Sequence, residues 1–423
     1  MEQFGPTLFI PSVEESKYKT IDNKNVSPIK FKSIWDARNW IKQYQGIDNF
    51  KWYGNTNFLA QYVVEKFGYE MKYDISQINV GKFDIETESD DGFPQINNPT
   101  AAITSIAYTD NSKKYMVWGL KEYDVSKSIL TYPLKENIKY IKCETEEDLL
   151  ISFIEYWATN YPDVITGWYI RLFDIPYMIN RIRRILGDAW VNKFSPFRDV
   201  RQKDITILGK TNITYDISGV EQLDYMDLFK KFGYNYGTQE SYKLENIANI
   251  VLDEGKISYD EYGKLSNLYR DNHQLFIDYN IKDTALIERM EDKLKYIELA
   301  ATIAYKAGSN FSDTFGTVAV WDNITYKYLH QKNIIVYNRD AKDRPELVGA
   351  FVKPPIVGKH KWVVSFDLNS LYPNLIIQYN MSPETIINKV ESNYNTEDLL
   401  DKKILNNSDD VIAAMCVIFS LFI

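Results

Sequence analysis

The chain has few of the residues that build covalent cross-links or soft-metal sites. Only two cysteines occur in 423 residues, Cys143 and Cys416. Two distant cysteines exclude a disulfide framework and point to a reducing, cytoplasmic compartment. Three histidines (His273, His330 and His360) and no Cys-x-x-Cys argue against a zinc centre. The N-terminal Met-Glu-Gln-Phe-Gly-Pro has no basic stretch leading into an apolar run, so no signal peptide is expected. The apolar stretch from Val411 to Ile423 is too short to span a bilayer, and no membrane partner is expected. Basic charge is also in deficit: 49 Lys and Arg stand against 58 Asp and Glu, a net charge of −9. That opposes a simple nucleic-acid binder, whose binding domain is basic. It leaves room for an enzyme that holds cations with carboxylates and meets phosphate through those cations.

What is present suits a packed protein. Hydrophobic residues make up 45% and aromatic residues 15%, with 32 tyrosines. The length allows about two to four domains. Up to about residue 78, short strands mix with one helix. Ser33 is its N-cap, Ile34, Ala37, Trp40, Ile41 and Tyr44 form its apolar stripe, and Gly46 ends it. From Val80 the period changes to two. Phe83 and Ile85 face one side of a strand, Asp84 and Glu86 the other. Strands at Ile103–Tyr108 and Tyr115–Trp118 complete a meander. A helix capped by Thr145, a buried strand at Val164, a helix from about Pro176, a hairpin over Asp204–Ile217 and a long helix from His273 past Tyr296 follow. The expected class is α/β with α+β parts, in several domains. Farther on, helix is expected around Trp321 to His330. Lys361 to Asp367 reads as a strand running into a helix capped by Ser370.

Four acidic positions form a candidate constellation: Asp84, Glu86, Asp174 and Asp283. Asp84 and Glu86 project from one strand face, Asp174 stands before the Pro176 helix, and Asp283 shares a helix face with Tyr279. Phosphodiester hydrolysis needs an activated water and charge relief on the leaving oxygen, and paired divalent cations supply both. Hard cations such as Mg²⁺ take oxygen ligands, so converging carboxylates are the expected cage. Singly, each residue also fits a solvated strand face or a helix cap. Arg181-Ile-Arg-Arg184 fits a solvated helix face better than a DNA groove.

The order of these residues carries a resemblance. Phe83-Asp-Ile-Glu-Thr87 resembles the first exonuclease motif of the family B DNA polymerases. Gly167-Trp-Tyr-Ile-Arg-Leu-Phe-Asp174, followed by Ile-Pro-Tyr, resembles the second, and Tyr279-Asn-Ile-Lys-Asp283 the third. The resemblance implies an RNase H-like fold, two Mg²⁺ or Mn²⁺ ions and proofreading at a DNA 3′ end. It makes Asp84, Glu86, Asp174 and Asp283 metal ligands, and Tyr279 the group that orients the attacking water. Lys256 falls where phage members carry a lysine near the scissile phosphate. One position departs: Tyr169 stands where Asn is common, which implies altered contact to the primer end.

Farther on, Ser365-Phe-Asp-Leu-Asn-Ser-Leu-Tyr-Pro373 resembles polymerase motif A of the same family. It implies Asp367 as a catalytic, metal-holding carboxylate, with Ser370, Leu371 and Tyr372 at the nucleotide; Asn374 replaces the usual Ser. Val348-Gly-Ala-Phe-Val-Lys353, with Gly349, resembles the segment that touches the template. The likeness is of the T-even bacteriophage type and runs from about Thr7 to Thr385. It implies an N-terminal domain at 1–78 with a returning segment at 296–340, an exonuclease domain at 79–295 and a partial palm at 341–423. The hairpin would help separate the primer strand.

No fingers motif of the Lys-x-x-x-Asn-Ser-x-Tyr-Gly kind and no Asp-Thr-Asp occur in the sequence. After Asp410-Val-Ile-Ala-Ala414 the sequence leaves the family's palm pattern. A frameshift, an interrupted gene and one half of a split polymerase all fit that departure. The expected partners are a single-stranded DNA 3′ end and primer-template DNA. A nucleotide and a second polypeptide enter only if the palm is completed, so this chain alone is not expected to polymerise. A non-catalytic DNA-binding subunit and a stand-alone exonuclease are the alternatives.

Overall fold

The computed structural model describes residues 4–47, 49–88, 94–207, 209–336, 354–368 and 370–378. These divide into two compact units, one of residues 1–66 and 326–423, the other of residues 67–325. In the first unit, β1 (Thr7–Pro11) pairs antiparallel with β3 (Val26–Lys30), while β2 (Lys19–Thr20) lies between them in sequence. The helix α1 (Ile34–Tyr44) forms as its pattern dictates: the Ser33 hydroxyl accepts the Asp36 amide at 3.1 Å, and Ala37 is buried. A second helix, α2 (Phe58–Phe67), was not expected. It buries Phe58, Ala60, Gln61 and Val64.

The second unit is built on a six-stranded sheet. In chain order its strands are β4 (Val80–Thr87), β5 (Ile103–Thr109), β6 (Tyr115–Gly119), β7 (Ile138–Lys142), β8 (Val164–Thr166) and, after a separate hairpin of β9 (Val200–Ile207) and β10 (Lys210–Ile217), β11 (Glu221–Gln222). Across the sheet they run β11, β8, β4, β5, β6, β7. The β4–β5–β6 meander is antiparallel as expected, with β8 added parallel to β4. The outer strand β7, parallel to β6, is a strand the sequence pattern did not announce. Hairpin pairing begins four residues before Asp204, at Val200, and runs to Ile207 opposite Lys210, with Gly209 at φ 77°.

Both faces of the sheet are covered. On one side α3 (Glu146–Thr159) and α4 (Asp174–Ile185) pack on Phe83, Ile85, Ile106 and Trp118, with Phe153, Trp157 and Ile179 filling the layer. Each fully buried Phe or Ile there contributes about 1.5–3 kcal/mol. The Thr145 hydroxyl accepts the Asp148 amide at 3.1 Å and sets the start of α3. Past the short helix α5 (Asp188–Val191), α6 (Tyr225–Phe232), α7 (Leu244–Leu252) and α8 (Leu265–Asp271) lead to α9 (His273–Leu294), which lies against β4 and β5 on the other face. The long helix expected to continue past Tyr296 stops at Lys295, which is left-handed at φ 57°. A new helix, α10 (Tyr296–Ala307), starts there, its first amides at Ile297 and Glu298 donating to the Glu291 carboxylate. That carboxylate supplies a cap, so the break needs neither glycine nor proline.

The helix α11 (Thr317–Gln331) then leads back to the first unit, where β12 (Ile334–Ile335) pairs parallel with β2. Residues 361–367 are a correction: they form no strand and pair with no other described residues. An extended run needs a neighbouring ladder to become sheet, and here Trp362, Val363, Val364 and Phe366 are exposed. The expected helix follows as α12 (Leu371–Gln378). Ser370 precedes it at φ 54°, and its carbonyl accepts the Asn374 amide at 3.0 Å.

Candidate active site

The strand β4 carries Asp84 and Glu86 on the face that meets α9, because Phe83 and Ile85 are drawn into the core on the other side. Its register sets Asp84 opposite Ala107 and Glu86 opposite Ser105, and the pairing shifts between Glu86 and Thr87. Such an irregularity re-aims a side chain at the end of a strand. The helix α9 supplies Tyr279 and, one turn on, Asp283. One carboxylate oxygen from each of Asp84, Glu86 and Asp283 comes within 4.8 Å of the others; Asp84 is partly exposed and the other two are buried.

Asp174 arrives differently. It opens α4, and its Oδ1 accepts the Ile85 amide at 3.2 Å, between Asp84 and Glu86 in sequence. It is buried beside the three converging oxygens without being one of that set. The turn before it is fastened by a residue that the sequence reading passed over. Asp224 accepts from the Tyr169 and Arg171 amides, each at 3.1 Å, and caps α6 through Met226 at 3.0 Å. A cap was legible in an Asp before a helical run; its reach to the Tyr169 turn was not. Tyr169 itself takes φ 68°, a left-handed conformation common for Asn and rare for Tyr, and the residue is 38% exposed.

A half-buried ammonium closes the site. Lys256 Nζ lies 2.5 Å from Asp283 Oδ2 and 2.6 Å from the Tyr279 hydroxyl. The Glu245 carboxylate accepts the Lys256 backbone amide at 2.6 Å and holds this loop. Asn280, also missed, touches Asp84 directly, and Ser105 reaches Asp84 only through Asn280. The Asn280 amide donates to Asp84 Oδ2 at 2.8 Å and accepts from the Ser105 hydroxyl at 2.8 Å.

The electrostatics are those of a cage short of positive charge. Burial, with Glu86, Asp174 and Asp283 adding repulsion, holds the Asp84 carboxyl well above the usual range. Burial and then Asp283 push Glu86 up to about 8. Burial pushes Asp174 up to about 7 against the Ile85 hydrogen bond. Asp283 is raised by burial and held back by Lys256. Burial opposes the Lys256 charge, but Asp283 and Tyr279 outweigh it and keep the ammonium well above its ordinary value. Burial also raises the Tyr279 hydroxyl, which therefore stays neutral. One ammonium does not offset four carboxylates, and a buried charge left without a partner costs about 3–5 kcal/mol. Asp283 Oδ1 is buried with no hydrogen-bond partner among the described residues. An all-oxygen donor set with an unpartnered carboxylate oxygen fits a hard divalent cation.

The remaining expected site residues lie in the other unit. Asp367, Ser370, Leu371 and Tyr372 are exposed. Gly349 falls outside the described residues, as do residues 411–423. The basic run on α4 is solvated only toward its end: Arg184 is exposed and Arg183 partly so, whereas Arg181 is drawn in. Arg181 is 11% exposed, clamped to Glu146 at 2.6 and 2.8 Å and to the Pro99 and Thr100 carbonyls. Arg183 binds Asp188 and Tyr215, and Arg184 binds Asn98.

Comparison with known proteins agrees with the motifs. Residues 47–247 match the description DNA polymerase family B, exonuclease domain, and residues 323–416 match DNA polymerase family B. The chain belongs to the family B DNA polymerases. Among its relatives, the DNA-directed DNA polymerase of Escherichia phage RB69 is 33% identical over 404 residues, which are 91% of this chain and 44% of that protein. The enzyme of Enterobacteria phage T4 is 32% identical over 402 residues, with the same coverage. The DNA polymerase delta catalytic subunit of Candida albicans is 26% identical over 330 residues, 74% of this chain and 31% of that protein. The chain thus spans less than half the length of these relatives.

Proposed function

We propose that this chain removes nucleotides from DNA 3′ ends and so proofreads DNA synthesis, using an RNase H-like domain. The observation that carries the reading is the convergence of Asp84, Glu86 and Asp283 within 4.8 Å beside Lys256 and Tyr279. A sheet of mixed direction with helices on both faces supports the fold assignment. In this reading Asp84, Glu86, Asp174 and Asp283 hold two Mg²⁺ or Mn²⁺ ions. When bound, these supply an activated water and stabilise charge on the leaving oxygen.

The chain's own groups do the rest. Tyr279 is neutral, and its oxygen accepts from Lys256, so its hydrogen points elsewhere, toward the Asp283 carboxylate or a water beside it. Lys256 places positive charge beside Asp283, where a scissile phosphate would be met. The domain scheme is N-terminal at 1–78 and 296–340, exonuclease at 79–295 and palm at 341–423. Residues 67–78 and 296–325 pack within the same unit as the exonuclease residues. The hairpin β9–β10 would help part the primer strand, and Tyr169 would alter contact to its end. Asp367 would hold metal and Ser370, Leu371, Tyr372 and Gly349 would serve nucleotide and template. DNA synthesis then requires a second palm carboxylate from outside these 423 residues. Action in the host cytoplasm fits this reading; no helix among the described residues is long and apolar enough to cross a membrane.

The test is Mg²⁺-dependent shortening of a 5′-labelled single DNA strand, repeated with the Asp84→Ala, Glu86→Ala double variant. A ladder of products shortened from the 3′ end, absent in the double variant, is expected. A wild-type chain that binds DNA but never shortens it would overturn the reading in favour of a non-catalytic subunit.

A further inference from the structure

Asn280 is fully buried on α9, next to Tyr279, where a polar side chain needs partners. Its amide nitrogen donates to Asp84 Oδ2 at 2.8 Å and approaches the Asp84 carbonyl at 3.4 Å. Its amide oxygen accepts from the Ser105 hydroxyl at 2.8 Å. Both Asp84 atoms are acceptors, so the nitrogen must face them; a flipped amide would set oxygen against oxygen. Ser105 is itself fully buried on β5, opposite Glu86 in the ladder. The chain of contacts therefore runs from β5 through α9 to β4 and ends on one oxygen of Asp84.

Resting on the nuclease reading above, we propose that Asn280, oriented by Ser105, is a positioning residue that fixes the Asp84 carboxylate for cation binding. The carboxylate torsion of an aspartate is broad and two-fold. A donor on Oδ2 removes that freedom and leaves the other oxygen of Asp84 for an ion. Tyr279 and Asn280 are consecutive, so one helix register sets both the water-orienting hydroxyl and the Asp84 orientation. Groups that orient a metal ligand without touching the metal typically contribute about 10- to 100-fold in metal affinity or activity.

The probe is Mn²⁺ alone, titrated calorimetrically into the full chain, with thermal melting in EDTA measured in parallel. Asn280→Ala is expected to weaken Mn²⁺ binding about 10- to 100-fold, and Ser105→Ala to weaken it less. In an Asp84→Ala background, Asn280→Ala is expected to add nothing, since the two act through one carboxylate. Nuclease activity of Asn280→Ala should recover in part at saturating Mn²⁺. A lowered melting temperature in EDTA with wild-type Mn²⁺ affinity would overturn the proposal, leaving Asn280 as a purely structural link between α9 and the sheet. So would a full Asn280→Ala effect in the Asp84→Ala background. If Asn280→Ala does not fold, Ser105→Ala carries the same comparison. A wild-type chain that binds no Mn²⁺ sinks the nuclease reading and this inference together. Mn²⁺ binding that Asn280→Ala and Ser105→Ala leave unchanged sinks only the inference.

Discussion

The Lys256 ammonium donates to the Tyr279 hydroxyl oxygen at 2.6 Å, and its charge lies 4.7 Å from the centre of the same ring. The contact aims the tyrosine hydrogen away from the lysine. Tyr279→Phe is therefore expected to lower kcat about a hundredfold while leaving Mn²⁺ affinity unchanged. Lys256→Ala removes that contact and also strips Asp283 of its cation. That variant should lose about 3–5 kcal/mol of stability in EDTA and regain much of it in Mg²⁺. Steady-state rates and melting curves with and without Mg²⁺ check both.

Metal-free stability should fall as pH rises. Glu86 is pushed up to about 8 and Asp174 to about 7. The folded protein thus keeps protons that the unfolded chain releases near about pH 4. With the folded pKa raised on an acid, stability is greatest below the unfolded value and is lost as pH climbs through the folded one. In EDTA the melting temperature should drop between about pH 5 and about pH 8.5. The increment given by Mg²⁺ should grow over the same window, since the cation binds the ionised carboxylates. An increment independent of pH would contradict the carboxylate cage.

Gly167 sits where β8 runs into the Tyr169 turn. A Cβ there would stand 2.5 Å from the Phe83 carbonyl oxygen, one residue before Asp84. Backbone cannot yield as a flexible side chain does, so Gly167→Ala must push the turn away from β4. The variant should lose nuclease activity at least about tenfold and bind Mn²⁺ more weakly, because Asp174 and Asp84 part. Wild-type activity would show that the turn can relax without moving the carboxylates.

Arg181 and Glu146 form a nearly buried pair that also pins the chain before β5. Arg181 holds the Pro99 and Thr100 carbonyls, and Glu146 accepts the Ile103 amide at 2.7 Å. Arg181→Ala leaves a buried carboxylate unpaired and should cost about 3–5 kcal/mol. The double variant Arg181→Met, Glu146→Leu should cost less, because neither charge is left alone. Denaturant melts of the three proteins make the comparison.

Much of this site is written in adjacent residues. The two-residue period of Phe83-Asp-Ile-Glu86 orders a strand with its carboxylates together. Ser33 and Thr145 cap the helices that follow them, and Tyr279 and Asp283 share a helix face by spacing alone. Those features follow from local geometry and survive any tertiary context that buries the apolar side. The rest depends on what folding brings alongside. Residues 361–367 have strand composition but no neighbouring ladder. Lys295 breaks a helix because Glu291 caps the next one. Arg181 becomes an anchor only when α4 meets the chain at Pro99. The Asn280 contact with Asp84 joins positions 196 residues apart. Residue types and their order determined which chemistry the chain can carry. The docking of α9 against β4 and β5 decided which carboxylates converge and what holds them, because hydrogen bonds between elements exist only once sheet order and helix packing have set the distances.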